Sequence, residues 1–227
     1  MRYFANPSTP EVRDAMSAGL LDMIATPKQG NRLPDGVTWC ADNGCYSAGY
    51  PGDDAWFAWL ASFTAEQIAR CAFATAPDVV GDAAATIERS GPWLHRIRAI
   101  GYRAAFVAQN GLESLPVPWD AFDVLFLGGD TAWKLGPHAR ALVAEAEAHG
   151  KSVHMGRVNS ERRLRYAQAI GCDSADGTYI TFGPDRNLPN VLAWLRGAAA
   201  APLFDLNCEI AAKRLAQDVL DLTGGVA

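Results

Sequence analysis

Short runs of apolar residues, each closed at its C-terminal end by an acid, an amide or a glycine, recur along this chain. Trp39-Cys40-Ala41 runs into Asp42, and Pro77-Asp78-Val79-Val80-Gly81 runs into Asp82. Ala104-Ala105-Phe106-Val107-Ala108 ends in Gln109, and Val124-Leu125-Phe126-Leu127 in Gly128-Gly129. Val153-His154 leads to Met155-Gly156, and the segment after Gly171 leads to Asp173 and Asp176. Runs of about four to six apolar residues without polar alternation belong to strands buried on both faces, the condition of a parallel sheet. When such a sheet closes on itself, the strand C-termini converge on one mouth. Uncharged strands that deliver carboxylates and amides to one mouth make an active site the leading reading.

The whole chain carries eight candidate strands: Arg2–Ala5, Leu21–Ala25, Thr38–Ala41, Cys71–Val80 (shortened by Pro77), Arg103–Ala108, Asp123–Leu127, Lys151–Met155 and Cys172–Asp176. Helical patterns separate most of them. Thr9-Pro10-Glu11 reads as an N-cap followed by proline in the first turn, opening a helix to Ser17. Asp53–Ala69 carries Trp56, Phe57, Trp59, Leu60 and Phe63; Ala83–Ile100, His138–His149 and Ser160–Ile170 each stop at a glycine. Strands alternating with helices imply right-handed crossovers. The expected fold is a single α/β domain over residues 1–227, a (β/α)8 TIM-type barrel with no zinc subdomain. Thr26–Gly36 reads as a polar loop, Ala198–Ala201 as a short connector and Leu203–Leu222 as a terminal amphipathic helix on the barrel exterior or across its bottom.

Composition narrows the function classes. No stretch of about 18 apolar residues occurs, so no membrane-spanning helix is expected. The first residues lack the apolar core of a secretory signal, and a cytoplasmic protein is expected. Five cysteines without a C-x-x-C pair read as free thiols in a reducing compartment, with no disulfide and no bound metal. The net charge of -5 carries no global nucleic-acid signature, so a polynucleotide would need a local basic surface.

The strand-end motifs resemble those of the tRNA-guanine transglycosylase superfamily. Ala41-Asp42-Asn43-Gly44-Cys45-Tyr46 is similar to its A-D-S-G-G-F signature, and Phe106-Val107-Ala108-Gln109-Asn110-Gly111 to its G-x-V-Q-G-G strand. Leu127-Gly128-Gly129 resembles its glycine pair, His154-Met155-Gly156 its L-M-G, and Gly171-Cys172-Asp173-Ser174-Ala175-Asp176 its G-V-D-M-F-D. Arg186-Asn187 falls where an arginine-containing loop follows. The order of five motifs, each at the end of an expected strand, carries the resemblance from about Thr38 to Asn187.

That resemblance implies exchange of a guanine in a polynucleotide for a 7-deazaguanine, with no cofactor. It implies Asp176 as the nucleophile that captures the sugar, with Asp173 held in reserve because the spacing from Met155-Gly156 to Asp176 is one residue longer than expected. It implies Asp42 as the acid/base and Asp82 as the carboxylate that reads the base's N1–H and amine. Gln109 would donate to O6 beside Gly128 and the Gly129 N–H, and Tyr46 and Met155, with Gly156, would enclose the flat base. Apart from the resemblance, Lys134, Arg157 and Arg186 could hold phosphates if they surround the mouth, the plain alternative being a solvated face. The tRNA enzymes carry a C-x-C-x-x-C…H zinc subdomain after the nucleophile, whereas here Cys208 stands alone and no histidine follows His154. The chain therefore looks most like the short zinc-free DNA 7-deazaguanine transglycosylases of phages and bacteria, with DNA and a free 7-deazaguanine base as expected partners. Activity on tRNA, an N-glycosidase or nucleoside hydrolase, and a barrel that only binds purines stand as alternatives. Residue by residue, Asp82 also fits a plain helix N-cap, Asp42-Asn43-Gly44 a turn, and His154 a satisfied core histidine.

Overall fold

In a computed structural model the described residues are 1–200, with side chains through Gly197. The helix expected at Leu203–Leu222, and Cys208 with it, lies outside them. The strands are β1 (Arg2–Ala5), β2 (Asp22–Ala25), β3 (Trp39–Ala41), β4 (Cys71–Thr75), β5 (Ala104–Ala108), β6 (Val124–Leu127), β7 (Ser152–Met155) and β8 (Ser174–Asp176). Each pairs in parallel with the next and β8 closes onto β1, giving a barrel in sequence order. The helices are α1 (Pro10–Ser17), α2 (Asp53–Ala61), α3 (Ala65–Ala69), α4 (Ala83–Ala99), α5 (Thr131–Lys134), α6 (Pro137–Ala148), α7 (Glu161–Ala169) and α8 (Pro184–Ala200). This is the (β/α)8 TIM-type barrel expected from the strand pattern. No helix of the described residues is long and apolar enough to cross a membrane.

The pleat divides the strand side chains into two cores. Phe4, Ile24, Cys40, Phe73, Ala105, Val107, Val124 and Phe126 fill the barrel interior. Neighbours of opposite parity, such as Tyr3, Met23, Trp39, Leu125 and Met155, pack outward against the helices. One irregularity bears on the site. Across β3 and β4 the register steps from Trp39↔Cys71 to Ala41↔Ala74, so β4 holds one residue more than its partner. A bulge of that kind re-aims the strand, and it leaves Phe73 in the interior with Thr75, two residues on, at the mouth.

Three local differences from the sequence pattern have plain causes. The run Asp53–Ala69 is two helices because Thr64 and Gln67 form a capping box that starts α3. The short α5 is opened by Asp130, whose Oδ1 accepts the Trp133 N–H at 2.8 Å. Ala198–Ala200 belong to the last turn of α8 and are not a connector. That helix takes Pro184 in its first turn, where a missing N–H costs no hydrogen bond.

Candidate active site

The strand C-termini surround a cavity of about 350 Å³. Asp42, Asn43 and Tyr46 reach it from the end of β3, Thr75 and Asp78 from β4 and its loop, and Gln109 from the end of β5. Gly128, Gly156, Arg157 and Asp176 close the far side. Phe126, Val107 and Ile24 are the apolar lining. Thr75 is buried there, and its Oγ1 has no hydrogen-bond partner among the described residues.

Asp78 is the carboxylate that the β4 loop delivers. The polar face of α4 pins that loop: Ser90 Oγ donates to Pro77 O at 2.7 Å, Arg89 to Asp78 O at 2.7 Å, and Thr86 Oγ1 exchanges bonds with Val79 N and O. Two amides then clamp the carboxylate. Asn43 Nδ2 donates to Oδ1 at 2.9 Å, and Gln109 Nε2 to Oδ2 at 2.7 Å. Gln109 is itself oriented by the Gly81 N–H on its Oε1, at 3.0 Å. Burial holds the Asp78 carboxyl above its ordinary range despite both donors.

Asp176 ends β8 and sits on the other wall. His154 Nε2 lies 2.8 Å from its Oδ2, and the Arg157 backbone N–H donates to its Oδ1 at 3.0 Å. Arg157 adopts φ 60, the left-handed region that a non-glycine residue rarely enters, and this turn brings its N–H to the carboxylate. Burial pushes Asp176 up, but the His154 hydrogen bond and charge, with the Arg157 N–H and Lys134, outweigh it and hold the carboxyl below its ordinary value. Asp42 behaves in the opposite way: burial, with the charges of Asp176 and Asp78, pushes it up to about 7. Two carboxyls in one cavity are thus split, one kept as the anion and one able to carry a proton near neutrality. That division suits a nucleophile working with an acid/base.

The glycines give room. A Cβ on Gly156 would lie 2.7 Å from the Phe126 ring, and one on Gly128 would collide with Val107. At the mouth, the exposed Tyr46 ring lies 4.6 Å from the Arg157 guanidinium, which also donates to Gly128 O and Gly129 O at 2.5 and 2.6 Å.

Of the residues that the sequence pointed to, Asp42, Tyr46, Gln109, Gly128, Gly156, Arg157 and Asp176 line this cavity. Others are placed elsewhere. Asp82 is exposed and caps α4, its Oδ1 accepting the Ala85 N–H at 3.0 Å, so the carboxylate of this loop that faces the cavity is Asp78. Met155 points outward into the helix-side core, because the pleat that turns His154 inward turns Met155 away. Gly129 is off the cavity and its N–H is taken by Ala108 O. Lys134 is buried, with Nζ donating to Gly156 O, and burial and the charge of Arg157 pull its pKa down to about 7. Its ammonium is turned inward and lies off the protein surface. Arg186 is exposed in the first turn of α8, away from the cavity lining. Asp173 precedes β8 at the opposite end of the barrel, where it accepts the Val153 N–H at 2.8 Å, so Asp176 alone of the pair reaches the mouth.

Asn43, Asp78 and His154 are polar groups of the site that have no functional role in the sequence reading: Asn43 reads as part of a turn and His154 as a core histidine. A signal existed for Asp78: an acid just before Ala83, where the helical pattern starts, fills the capping position, which leaves the earlier acid free.

No protein-family model matches the chain, and no curated protein does. Among solved structures, it is similar to a chain of the Amycolatopsis orientalis BexX/CysO complex, at 17% identity over 91% of each chain and a TM-score of 0.59. It also matches the Bacillus subtilis YkuI protein, with an EAL domain, in complex with c-di-GMP and calcium. There the identity is 18%, over 74% of this chain and 41% of that one, with a TM-score of 0.42. At such identity the first likeness speaks to the fold alone. The class that fold and cavity define is an α/β barrel with an acid-lined pocket at its C-terminal mouth.

Proposed function

We propose that this chain is a base-exchange glycosyltransferase that replaces guanine in DNA by a 7-deazaguanine through a covalent glycosyl ester on Asp176. One observation carries the reading: Asp42, Asp78, Gln109 and Asp176 line the same cavity, with Asp176 held as the anion and Asp42 able to hold a proton near pH 7. Asp78, between the amides of Asn43 and Gln109, takes the role expected of Asp82 and accepts the two donors on the guanine edge. The apolar lining of Phe126 and Val107 suits the faces of a planar base. The choice of DNA over RNA rests on the resemblance to the short zinc-free transglycosylases. A guanine in a duplex has to leave the stack to reach a barrel mouth.

In the reaction, an Asp176 oxygen bonds C1′ of the nucleotide as the bond from C1′ to N9 breaks. The electron pair passes to the guanine, which takes the proton of Asp42. Ester formation removes the Asp176 charge, and with it one of the charges that raise Asp42. Asp42 is then the base that accepts the proton of the incoming deazaguanine as its nitrogen displaces Asp176.

The test uses oligodeoxynucleotide and tRNA carrying radiolabelled guanine, incubated with and without unlabelled guanine or 7-deazaguanine. Catalytic label release from DNA that requires an added base and leaves no abasic site is the expected outcome. Multiple turnovers without any added base, with abasic sites accumulating, mean an N-glycosidase; release from tRNA alone moves the substrate to RNA.

A pH profile checks the acid. Single-turnover guanine release is expected to fall as pH rises through about 7, because only protonated Asp42 can donate. Asp42→Asn removes that limb and slows release by about 10²- to 10⁴-fold. A wild-type rate still climbing above that pH excludes Asp42 as the acid. Asp82 gives a contrasting result. Asp82→Ala is expected to lower stability by about 0.5–2 kcal/mol through the lost cap, while affinity for free guanine stays unchanged. Guanine binding that weakens tenfold at an unaltered melting temperature would return Asp82 to the site.

A further inference from the structure

His154 lies directly behind Asp176, and the reaction as written leaves it unused. Its ring is fully buried inside the barrel, with centroids 5.8, 5.0 and 4.6 Å from those of Phe4, Phe73 and Phe126. Nε2 meets Asp176 Oδ2 at 2.8 Å and Nδ1 meets Ser174 Oγ at 2.9 Å. The polar partners on β8 are thus Asp176 and Ser174, while β1, β4 and β6 present only uncharged rings. Lys134 and Asp42 act on the pair through the Asp176 carboxylate.

We propose that His154 is a positioning residue that makes Asp176 as ready a leaving group as it is a nucleophile, so that the glycosyl ester turns over by base exchange and does not accumulate. The proposal rests on Asp176 being the nucleophile. The chemistry follows from the two ring nitrogens. The Ser174 hydroxyl can donate to Nδ1 or accept from it, so either protonation state of the ring keeps an N–H on Nε2 aimed at Oδ2. That N–H bonds a carboxylate more strongly than the neutral oxygen of an ester. It therefore favours the free carboxylate over the glycosyl ester, and favours expulsion of Asp176 when the incoming base attacks. In that step the bond from C1′ to the Asp176 oxygen breaks, its electron pair returns to the carboxylate, and the base proton goes to Asp42. An aromatic nest that excludes water keeps the bond strong.

The test separates the two half-reactions in the full chain. Oligodeoxynucleotide with labelled guanine, without added base, reports ester formation by stoichiometric label release; added unlabelled guanine then reports turnover, and intact mass reports the adduct. His154→Phe fits among the surrounding rings and removes the N–H; His154→Gln retains an amide donor. In H154F, turnover is expected to slow by about 10- to 100-fold more than formation does, so the adduct becomes the main species at steady state. H154Q is expected to restore part of the turnover, and Ser174→Ala to shift the balance in the same direction as H154F. A merely structural role would lower both half-reactions by one factor, in step with loss of folded protein by thermal melting, and that result overturns the proposal. Equal slowing at unchanged melting temperature overturns it as well. A wild-type enzyme that exchanges guanine but never forms an adduct overturns the reading of Asp176 itself.

Discussion

Replacing Asp176 by asparagine is expected to abolish base exchange while the barrel and the base pocket persist. An amide is a very poor nucleophile, and it lacks the charge that stabilises a developing oxocarbenium at C1′. The loss expected is on the order of 10⁴-fold or more in rate, because the covalent route itself disappears. The fold is expected to survive because asparagine keeps the side-chain shape and an oxygen for the Arg157 N–H, while its NH₂ can donate to His154 Nε2 once the ring proton sits on Nδ1 toward Ser174 Oγ. Asp173→Asn is the internal control. Its carboxylate bonds the Val153 N–H at the far end of the barrel, so its effect is confined to stability and leaves exchange per folded molecule unaltered. Steady-state exchange with circular dichroism melts on both variants checks the pair. Near-normal exchange by Asp176→Asn would require a different nucleophile.

Asp78→Asn is expected to be the second-largest lesion, and to fall on base recognition. The wild-type carboxylate already accepts from Asn43 and Gln109 and has lone pairs left for two donors on the base. Asparagine sets an NH₂ against a neighbouring amide donor and a base donor at a buried position. One unmatched buried polar group costs about 1–3 kcal/mol, roughly 10- to 100-fold in affinity. Calorimetric titration with guanine is expected to show that loss, and a parallel loss in kcat/KM for DNA. Hypoxanthine lacks the exocyclic amine and so offers one donor fewer, and its binding to the variant is expected to fall less than that of guanine. Equal affinities of wild type and variant for guanine would leave Asp78 a structural anchor for its loop.

The barrel was legible because its signal is carried by many residues at once. Each strand is a short uninterrupted apolar run, and each expected strand lies within a few residues of an observed one, although Cys71–Val80 proved to end at Thr75, before Pro77. The acids at Asp42 and Asp176 could be read because a strand end in a closed parallel barrel has one place to go. Asp82 and Met155 could not be placed so simply. For Asp82 the deciding fact is local: it stands one residue before α4 and caps it, whereas Asp78 sits on a loop whose course is set by Thr86, Arg89 and Ser90 of that helix. For Met155 the deciding fact is parity, since in a pleated strand His154 and Met155 cannot both face the interior. His154 reads as an ordinary core histidine in sequence because its partner, Asp176, is 22 residues away and meets it only when β7 and β8 pair. Lys134 is a related case: it is expected from sequence to hold phosphate, but its side chain runs inward to the Gly156 carbonyl, a course set by how α5 packs beside the end of β7.

The most direct measurement of the central claim is to trap the enzyme on an oligodeoxynucleotide in the presence of a saturating guanine analogue that occupies the base pocket but cannot bond C1′. The complex is denatured without nucleophiles, and the adduct is located by peptide mass spectrometry. A strand joined through its sugar to the peptide that contains Asp176, with none on Asp173 or Asp42, is the expected result. A covalent strand mapped to another residue, or label release at full rate through multiple turnovers with no adduct at any time, would contradict a glycosyl ester on Asp176.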